Sequence, residues 1–270
     1  MAEAEINGAR HHFECAGSGG TPIFFVAGMG GAGHYWGPQL AHFSARQAVV
    51  SYDQRGTGRS AHVPVSSIEQ LADDALALLD HLGLQRVHYV GHSTGGAIGQ
   101  VLAAKAPERF ESLTLYASIS RADAFRSRIW NMRRSILIHQ GTEAYARATT
   151  LALYPPSWIA ENDARLAEDE VRSAASLPSP EIMNSRIDAI LKFDFRDRLG
   201  DIKVPSLVVC AHDDALTPMY FSEEIAAGIP GAVTAYASTG AHALSRVTPE
   251  WFNATLERFW DSLNTQKPRV

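Results

Sequence analysis

The stretch "RVHYVGHSTGGAIGQVLAAKAP" (residues 86–107) changes its pattern abruptly in the middle. A short, nearly continuous apolar run ends at Gly91-His92-Ser93-Thr94-Gly95, and a segment of small residues then continues without a breaker until Pro107. The first half has the length and composition of a strand buried on both faces, and the second half those of a helix. Only a sharp turn joins the two without a loop. Glycines two residues to either side of Ser93 remove the Cβ atoms that such a turn would force into contact. A strand that feeds directly into a helix is the building unit of a parallel sheet.

The flanking sequence repeats that unit. "PIFFVAG" and "QAVVSYD" are apolar runs of strand length, and "FESLTLYA" is another. Apolar residues at 68, 71, 75, 78, 79 and 82 have helical spacing. Upstream, "EINGARHHFECAGSGG" is expected to form two short strands turning at Asn7-Gly8. From Arg121 to about Phe195 the alternation stops, and only helical patterns appear. Phe125, Ile129, Met132 and Ile136 form one apolar stripe there. Thr142, Ser157 and Ser179-Pro180-Glu181 are expected to start further helices. Strand signals return at "VPSLVVCA" and weakly at "AVTAYAS", and Thr248-Pro249-Glu250 opens a last helix. The expected fold is α/β: a mostly parallel sheet with helices on both faces, built from residues 1–120 and 196–270, with a helical lid inserted at 121–195.

A serine hydroxyl is a poor nucleophile until a base removes its proton, a third group orients the base, and donors hold the oxyanion that forms. Gly91-His92-Ser93-Thr94-Gly95 matches G-x-S-x-G, the nucleophile elbow, which puts Ser93 on the strand-to-helix turn. An acid and then a histidine should follow in chain order. Asp214 ends the strand "SLVVC" with the spacing D-x-x-x-P, and Asp213 and Asp123 are its rivals. His242, in "STGAHALS" ahead of the final helix, is the expected base. His92 adjoins the serine but points elsewhere, and His88 reads as a strand residue. The oxyanion donors are expected to be the N–H of Thr94, at a helix N-terminus, and that of Met29 in the loop "VAGMGGAGHYW". That loop lacks the lysine of a phosphate-binding P-loop.

Several residues are candidates for contact with a substrate. Gly28 lets backbone come close, and Trp36 follows the same loop, beside His34 and Tyr35. Arg126, Arg128, Arg133 and Arg134 in "AFRSRIWNMRRS" have two readings: recognition of a substrate carboxylate, or the solvated side of an amphipathic helix. The second is preferred, because Arg126 and Arg133 lie opposite much of the apolar stripe. Arg128, Trp130, Tyr154 and Trp158 are kept as possible pocket residues.

Composition excludes other classes. The 270 residues are 46% hydrophobic, with a net charge of -5 and a pI near 6.1, so there is no basic footprint for nucleic acid. No apolar run reaches membrane length, and "MAEAEINGAR" is not a signal peptide, so a cytoplasmic location is expected, with no membrane partner. The two cysteines, Cys15 and Cys210, are read as small core residues, and no metal-ligand spacing occurs. No metal and no cofactor are expected. The expected partner is a small-molecule substrate, and a homodimer is left open.

Together with the elbow, "YDQRGTGRS" and "FRDRLGDIKVPSLVVCAHDDALTP" resemble the α/β-hydrolase superfamily over nearly the whole chain. "GMGGAGHYWGPQL", "LYPPSW", "RIDAILKFDF" and "HDDALTP" are similar to the aminoacrylate (carbamate-type) hydrolases of the Rut pyrimidine-degradation pathway. The resemblance implies cofactor-free hydrolysis of a small nitrogen-bearing acid. Ester, lactone or carbon–carbon cleavage on the same scaffold, as by a carboxylesterase or enol-lactonase, are alternatives. A ligand-binding protein that lost catalysis is a further one.

Overall fold

Ile23, Phe24, Phe25 and Val26 are all fully buried, which requires cover on both faces of the strand they form. A computed structural model describes residues 2–266 and shows how that cover is built. One sheet contains β1 (Ala2–Ile6), β2 (Ala9–Ala16), β3 (Ile23–Val26), β4 (Val49–Tyr52), β5 (Val87–His92), β6 (Phe110–Tyr116), β7 (Ser206–Ala211) and β8 (Val233–Ala237). The strand order is β1-β2-β4-β3-β5-β6-β7-β8. β1 and β2 pair as an antiparallel hairpin around Asn7 and Gly8, which have φ of 47° and 73°. β2 is antiparallel to β4, and the remaining pairs are parallel.

Helices α1 (Gly37–Phe43), α2 (Ile68–His81) and α3 (Thr94–Lys105) belong to the first half of the chain. Four more, α4 (Ala124–Leu153), α5 (Pro156–Glu161), α6 (Asp163–Ser176) and α7 (Pro180–Lys192), stand between β6 and β7. The last are α8 (Met219–Gly228), α9 (Leu244–Val247) and α10 (Pro249–Gln266). Alternate residues of β3 serve opposite cores, as a period of two demands. Phe24 and Val26 pack with Leu71, Ala75, Ile98 and Phe221, from α2, α3 and α8. Ile23 and Phe25 pack with Phe43, Phe252 and Leu256, from α1 and α10. Full burial of side chains of this size contributes roughly 1.5–3 kcal/mol each.

The segment between β6 and β7 leaves and re-enters the core through a closed neck. Arg121 and Asp194 form an isolated antiparallel bridge, and the Phe195 N–H donates to the Ser120 carbonyl at 2.7 Å. Asp123 caps α4 by accepting from the Arg126 N–H at 2.8 Å. α4 breaks at Gly141 (φ 85°, ψ -175°), next to the expected helix start at Thr142. α5 begins at Pro156 rather than at Ser157, because two consecutive prolines suit a first helical turn. The Ser179 hydroxyl accepts from the Ile182 N–H at 3.4 Å and starts α7 as expected.

The expected stripe on α4 holds only in part: Ile136 packs against the core and Ile129 is half-buried. Phe125 and Met132 are 38% and 58% exposed, whereas Arg126, Trp130, Arg133 and Leu137 are buried. Cys210 is buried as expected, but Cys15 is exposed near the end of β2. Among the described residues, no helix is long and apolar enough to cross a membrane, and no cluster of His, Cys, Asp and Glu is arranged to hold a metal ion.

Candidate active site

Ser93 joins β5 to α3 with φ 52° and ψ -114°, a conformation that non-glycine residues rarely adopt. Such strain costs about 1–3 kcal/mol and persists only where the surroundings over-determine it. Here the Ser93 N–H donates to the Tyr116 carbonyl at 2.8 Å. The Ser93 carbonyl accepts from Gly96 N–H at 2.9 Å and from the Ser118 hydroxyl at 2.8 Å. A Cβ at Gly91 would run into the Gly95 carbonyl, and one at Gly95 into the Val26 carbonyl. Both glycines are therefore required by the close approach of backbone to backbone.

Asp214 follows β7 in a turn that saturates its carboxylate. Oδ1 accepts from the N–H groups of Leu216 and Thr217, each at 2.8 Å. Oδ2 accepts from the Thr217 hydroxyl at 2.7 Å and from His242 Nδ1 at 2.8 Å. A carboxylate only accepts, so Nδ1 carries the proton, and Nε2 of the neutral ring is left with its lone pair. Both side chains of the pair are buried. The neighbouring Asp213 takes a different part: it accepts from Thr239 Oγ1 at 2.7 Å and Ala241 N–H at 2.8 Å, pinning the loop that carries His242. Asp123 is occupied as the α4 cap and accepts from the Tyr220 hydroxyl at 2.6 Å.

The main chain of His242 is held from behind. Its carbonyl accepts from Tyr116 Oη at 2.8 Å and from His92 Nε2 at 3.0 Å. His92 is stacked between Tyr35 (4.5 Å, 2°) and Tyr116 (4.6 Å, 30°). Burial, aided by the nearby His242, pushes His92 well below the usual histidine range, so it stays neutral.

Ser93, His92 and His242 open on one cavity of about 460 Å³, which Gly28, Met29, Trp130, Arg133, Tyr145 and Tyr154 also line. That volume suits a small molecule. A Cβ on Gly28 would come within 3.1 Å of the Ser93 Cβ, so this loop lies directly against the serine. Three successive carbonyls of the loop are held in place. Ala27 accepts from Gln54 Nε2 at 2.6 Å, Gly28 from Gly31 N–H at 2.9 Å, and Met29 from Arg186 Nε at 3.1 Å. Thr94 is the first residue of α3, where N–H groups lack partners within the helix.

Ser93, Asp214 and His242 are thus brought together with Met29 and Thr94, and Gly28, Trp130 and Tyr154 line the cavity beside them. The other expected contacts are not there. Trp36 is fully buried against Phe25, Tyr116 and Phe252, as core, because its helical turn directs it away from the cavity. Arg128 is exposed on the outer side of α4. Trp158 is not in the cavity wall; it stacks on Tyr154 at 4.5 Å from behind. Arg126 and Arg133, expected on the solvated side, are 1% and 4% exposed. The Arg126 Nη1 donates to the Leu216 carbonyl at 2.8 Å, inside the Asp214 turn, and burial lowers its pKa to about 10, so it remains charged at neutral pH.

Arg186 on α7 was not singled out from the sequence. It is 2% exposed and donates to the Met29 carbonyl, to the Arg55 carbonyl at 2.6 Å and to Gln54 Oε1 at 2.7 Å. A signal existed: Arg186 falls on the stripe of Ile182, Met183, Ile187 and Ile190, where an apolar residue belongs. Thr217 was missed too, and nothing in its spacing distinguishes it from an ordinary loop threonine.

A family model described as alpha/beta hydrolase fold matches residues 21–245. A protein named "Putative carbamate hydrolase RutD" from Azorhizobium caulinodans is 47% identical over 260 residues, 96% of this chain and 98% of the relative. A protein of the same name from Caulobacter sp. (strain K31) is 39% identical over 88% of this chain and 89% of its own length. Among solved structures, the enol-lactonase from Burkholderia xenovorans LB400 superposes with a TM-score of 0.89 at 27% identity, covering 96% of this chain and 100% of that one. A saturated Asp–His pair, a strained serine and this likeness over nearly the full length converge: the chain belongs to the α/β-hydrolase fold family, within the group of the RutD proteins.

Proposed function

We propose that this protein is a serine hydrolase acting on a small amide-, carbamate- or aminoacrylate-type substrate, or a related ester, with no cofactor in the chemical step. The observation that carries the reading is the His242 Nδ1–Asp214 Oδ2 bond of 2.8 Å beside a serine held at φ 52° in the same cavity wall. Ser93 Oγ attacks the carbonyl carbon while His242 Nε2 takes its proton. Asp214 keeps the ring in the right tautomer and stabilises the imidazolium that forms. The N–H groups of Met29 and Thr94 receive the oxyanion, and a donor of this kind is typically worth about 2.7–4 kcal/mol. Collapse of the intermediate breaks the bond to the leaving nitrogen or oxygen, which takes the proton from His242. Water then attacks the acyl-Ser93 ester by the same route, and the free acid departs. The names of the RutD relatives support a carbamate-like bond, and the lactonase likeness supports the wider range that includes esters.

Ser93→Ala is expected to leave folding intact and lower turnover by several orders of magnitude, and an alkyl fluorophosphonate is expected to label Ser93 of the wild type. An unlabelled serine in a folded protein would favour a ligand-binding role. Turnover without an acyl-Ser93 adduct in intact-mass spectra would favour direct attack by water activated at His242.

A further inference from the structure

Arg133 is a buried cation without a countercharge. It lines the cavity that contains Ser93 and His242 and is 4% exposed. Its guanidinium is gripped between two rings, 5.0 Å from the Trp130 centroid and 4.8 Å from that of Tyr145. Its one hydrogen bond is neutral, from Nη2 to Thr149 Oγ1 at 2.8 Å. Nε and Nη1 have no acceptor, and neither has the indole Nε1 of the adjoining Trp130. Among the described residues no carboxylate lies within 4.0 Å of Arg133, whereas the other arginines of the same wall are paired: Asp169 meets Arg172 at 2.6 Å and Arg246 at 3.9 Å.

A buried guanidinium with idle donors is costly, and so is a buried indole N–H without a partner. The aromatic grip offsets part of that cost and holds the fork in place before any ligand arrives. The missing element is an anion, and a carboxylate matches a guanidinium in shape and charge. We propose that Arg133 and the Trp130 N–H form a carboxylate subsite on the α4 side of the cavity. This rests on the hydrolase reading and narrows it: the substrates are short acids, with the carboxylate at Arg133 and the scissile carbonyl at Ser93. The cavity that contains both points is mostly apolar, which suits a short carbon chain. Binding of the acid requires the side chains of Trp130 and Arg133 to move, since their idle nitrogens are covered in the ligand-free protein.

The test compares wild type with Arg133→Gln, Arg133→Lys and Trp130→Phe on two esters of similar size, monoethyl succinate and ethyl butyrate, and measures succinate binding by calorimetry. Arg133→Gln is expected to lower kcat/KM for the charged ester by about 10- to 100-fold while the neutral ester changes less than about threefold. Succinate affinity should fall by a similar factor. Arg133→Lys and Trp130→Phe should give smaller losses, again larger on the charged ligand than on the neutral one, and they decide the matter if Arg133→Gln does not fold. Equal losses on both esters, or succinate binding that is absent in the wild type or unchanged in the variants, would overturn the subsite. Failure of the hydrolase reading looks different: neither ester is turned over and Ser93 is not labelled by a fluorophosphonate, and the succinate titration then still decides the subsite alone.

Discussion

Replacing Arg186 with methionine keeps an unbranched, apolar stem among Ile182, Met183 and Ile187 and deletes the guanidinium. Three acceptors then lose their donor: the Met29 carbonyl, the Arg55 carbonyl and Gln54 Oε1. Each buried acceptor left unsatisfied costs about 1–3 kcal/mol. Burial lowers the arginine's pKa to about 10, so the group is charged at neutral pH and its removal recovers some desolvation energy. A net loss of about 2–5 kcal/mol of stability is expected from these opposing terms. The functional effect is separate. Arg186 holds the carbonyl of Met29, and through Gln54 that of Ala27, so on the proposed mechanism it is a positioning residue for the loop that would supply an oxyanion donor. Complete loss of such a donor lowers kcat by about 10²–10³, and a loosened loop should lose part of that, about 10- to 100-fold, with KM nearly unchanged. The assay is steady-state kinetics on an ester, joined to the inhibition constants of a trifluoromethyl ketone and its methyl ketone counterpart. The trifluoromethyl ketone, which forms the oxyanion, should weaken in step with kcat, and the methyl ketone should not. A kcat within twofold of wild type in folded Arg186→Met, or equal weakening of both ketones, would refute the reasoning.

The two adjacent aspartates should separate cleanly. Asp214→Asn is expected to lower kcat by about 10³–10⁴ through the wrong histidine tautomer. Asp213→Asn should lower the melting temperature, by loosening the Thr239–Ala241 loop, with less than about a tenfold effect on kcat. His92 supplies a pH signature. Its pKa in the folded state lies well below the ordinary 6.5, so its neutral form contributes stability above pH 6.5 that is lost as pH falls below that value. Denaturant midpoints between pH 8 and 5 should show it, and His92→Phe should flatten the slope by up to about 1.4 kcal/mol per pH unit. Gly95→Ala, whose methyl group meets the Val26 carbonyl, is expected to yield no folded protein by circular dichroism.

What the sequence reveals depends on which side of a residue water is. The strands and the Ser93 turn were legible because burial on both faces leaves an apolar run, and a hard turn leaves glycines. Asp214 and His242 were legible because their order and position in the chain follow from the sheet topology. The helices between β6 and β7 were legible as helices, but the inward face of α4 was not, for the opposite reason. Hydrophobic periodicity assumes that the inward face meets hydrocarbon, but α4 turns Trp130 and Arg133 toward the cavity and Arg126 onto the Leu216 carbonyl, and leaves Phe125 and Met132 outside. Arg186 defied its own stripe in the same way. Trp36 shows the converse: closeness in sequence to the Met29 loop says little about direction, since a single helical turn sends its ring into the core beneath α10.

The narrow Arg121–Asp194 neck bears on how such a protein diverges. A segment whose two stems touch can be lengthened, shortened or exchanged without disturbing the order of the strands below, so substrate preference is free to drift while the reactive groups stay put. Arg126 and Arg186 limit that freedom, because each reaches down from the exchanged portion to grip main chain, in the Asp214 turn and in the Met29 loop. A transplanted cap that brings no arginine to these two places would deliver a well-shaped chamber over a slackened floor.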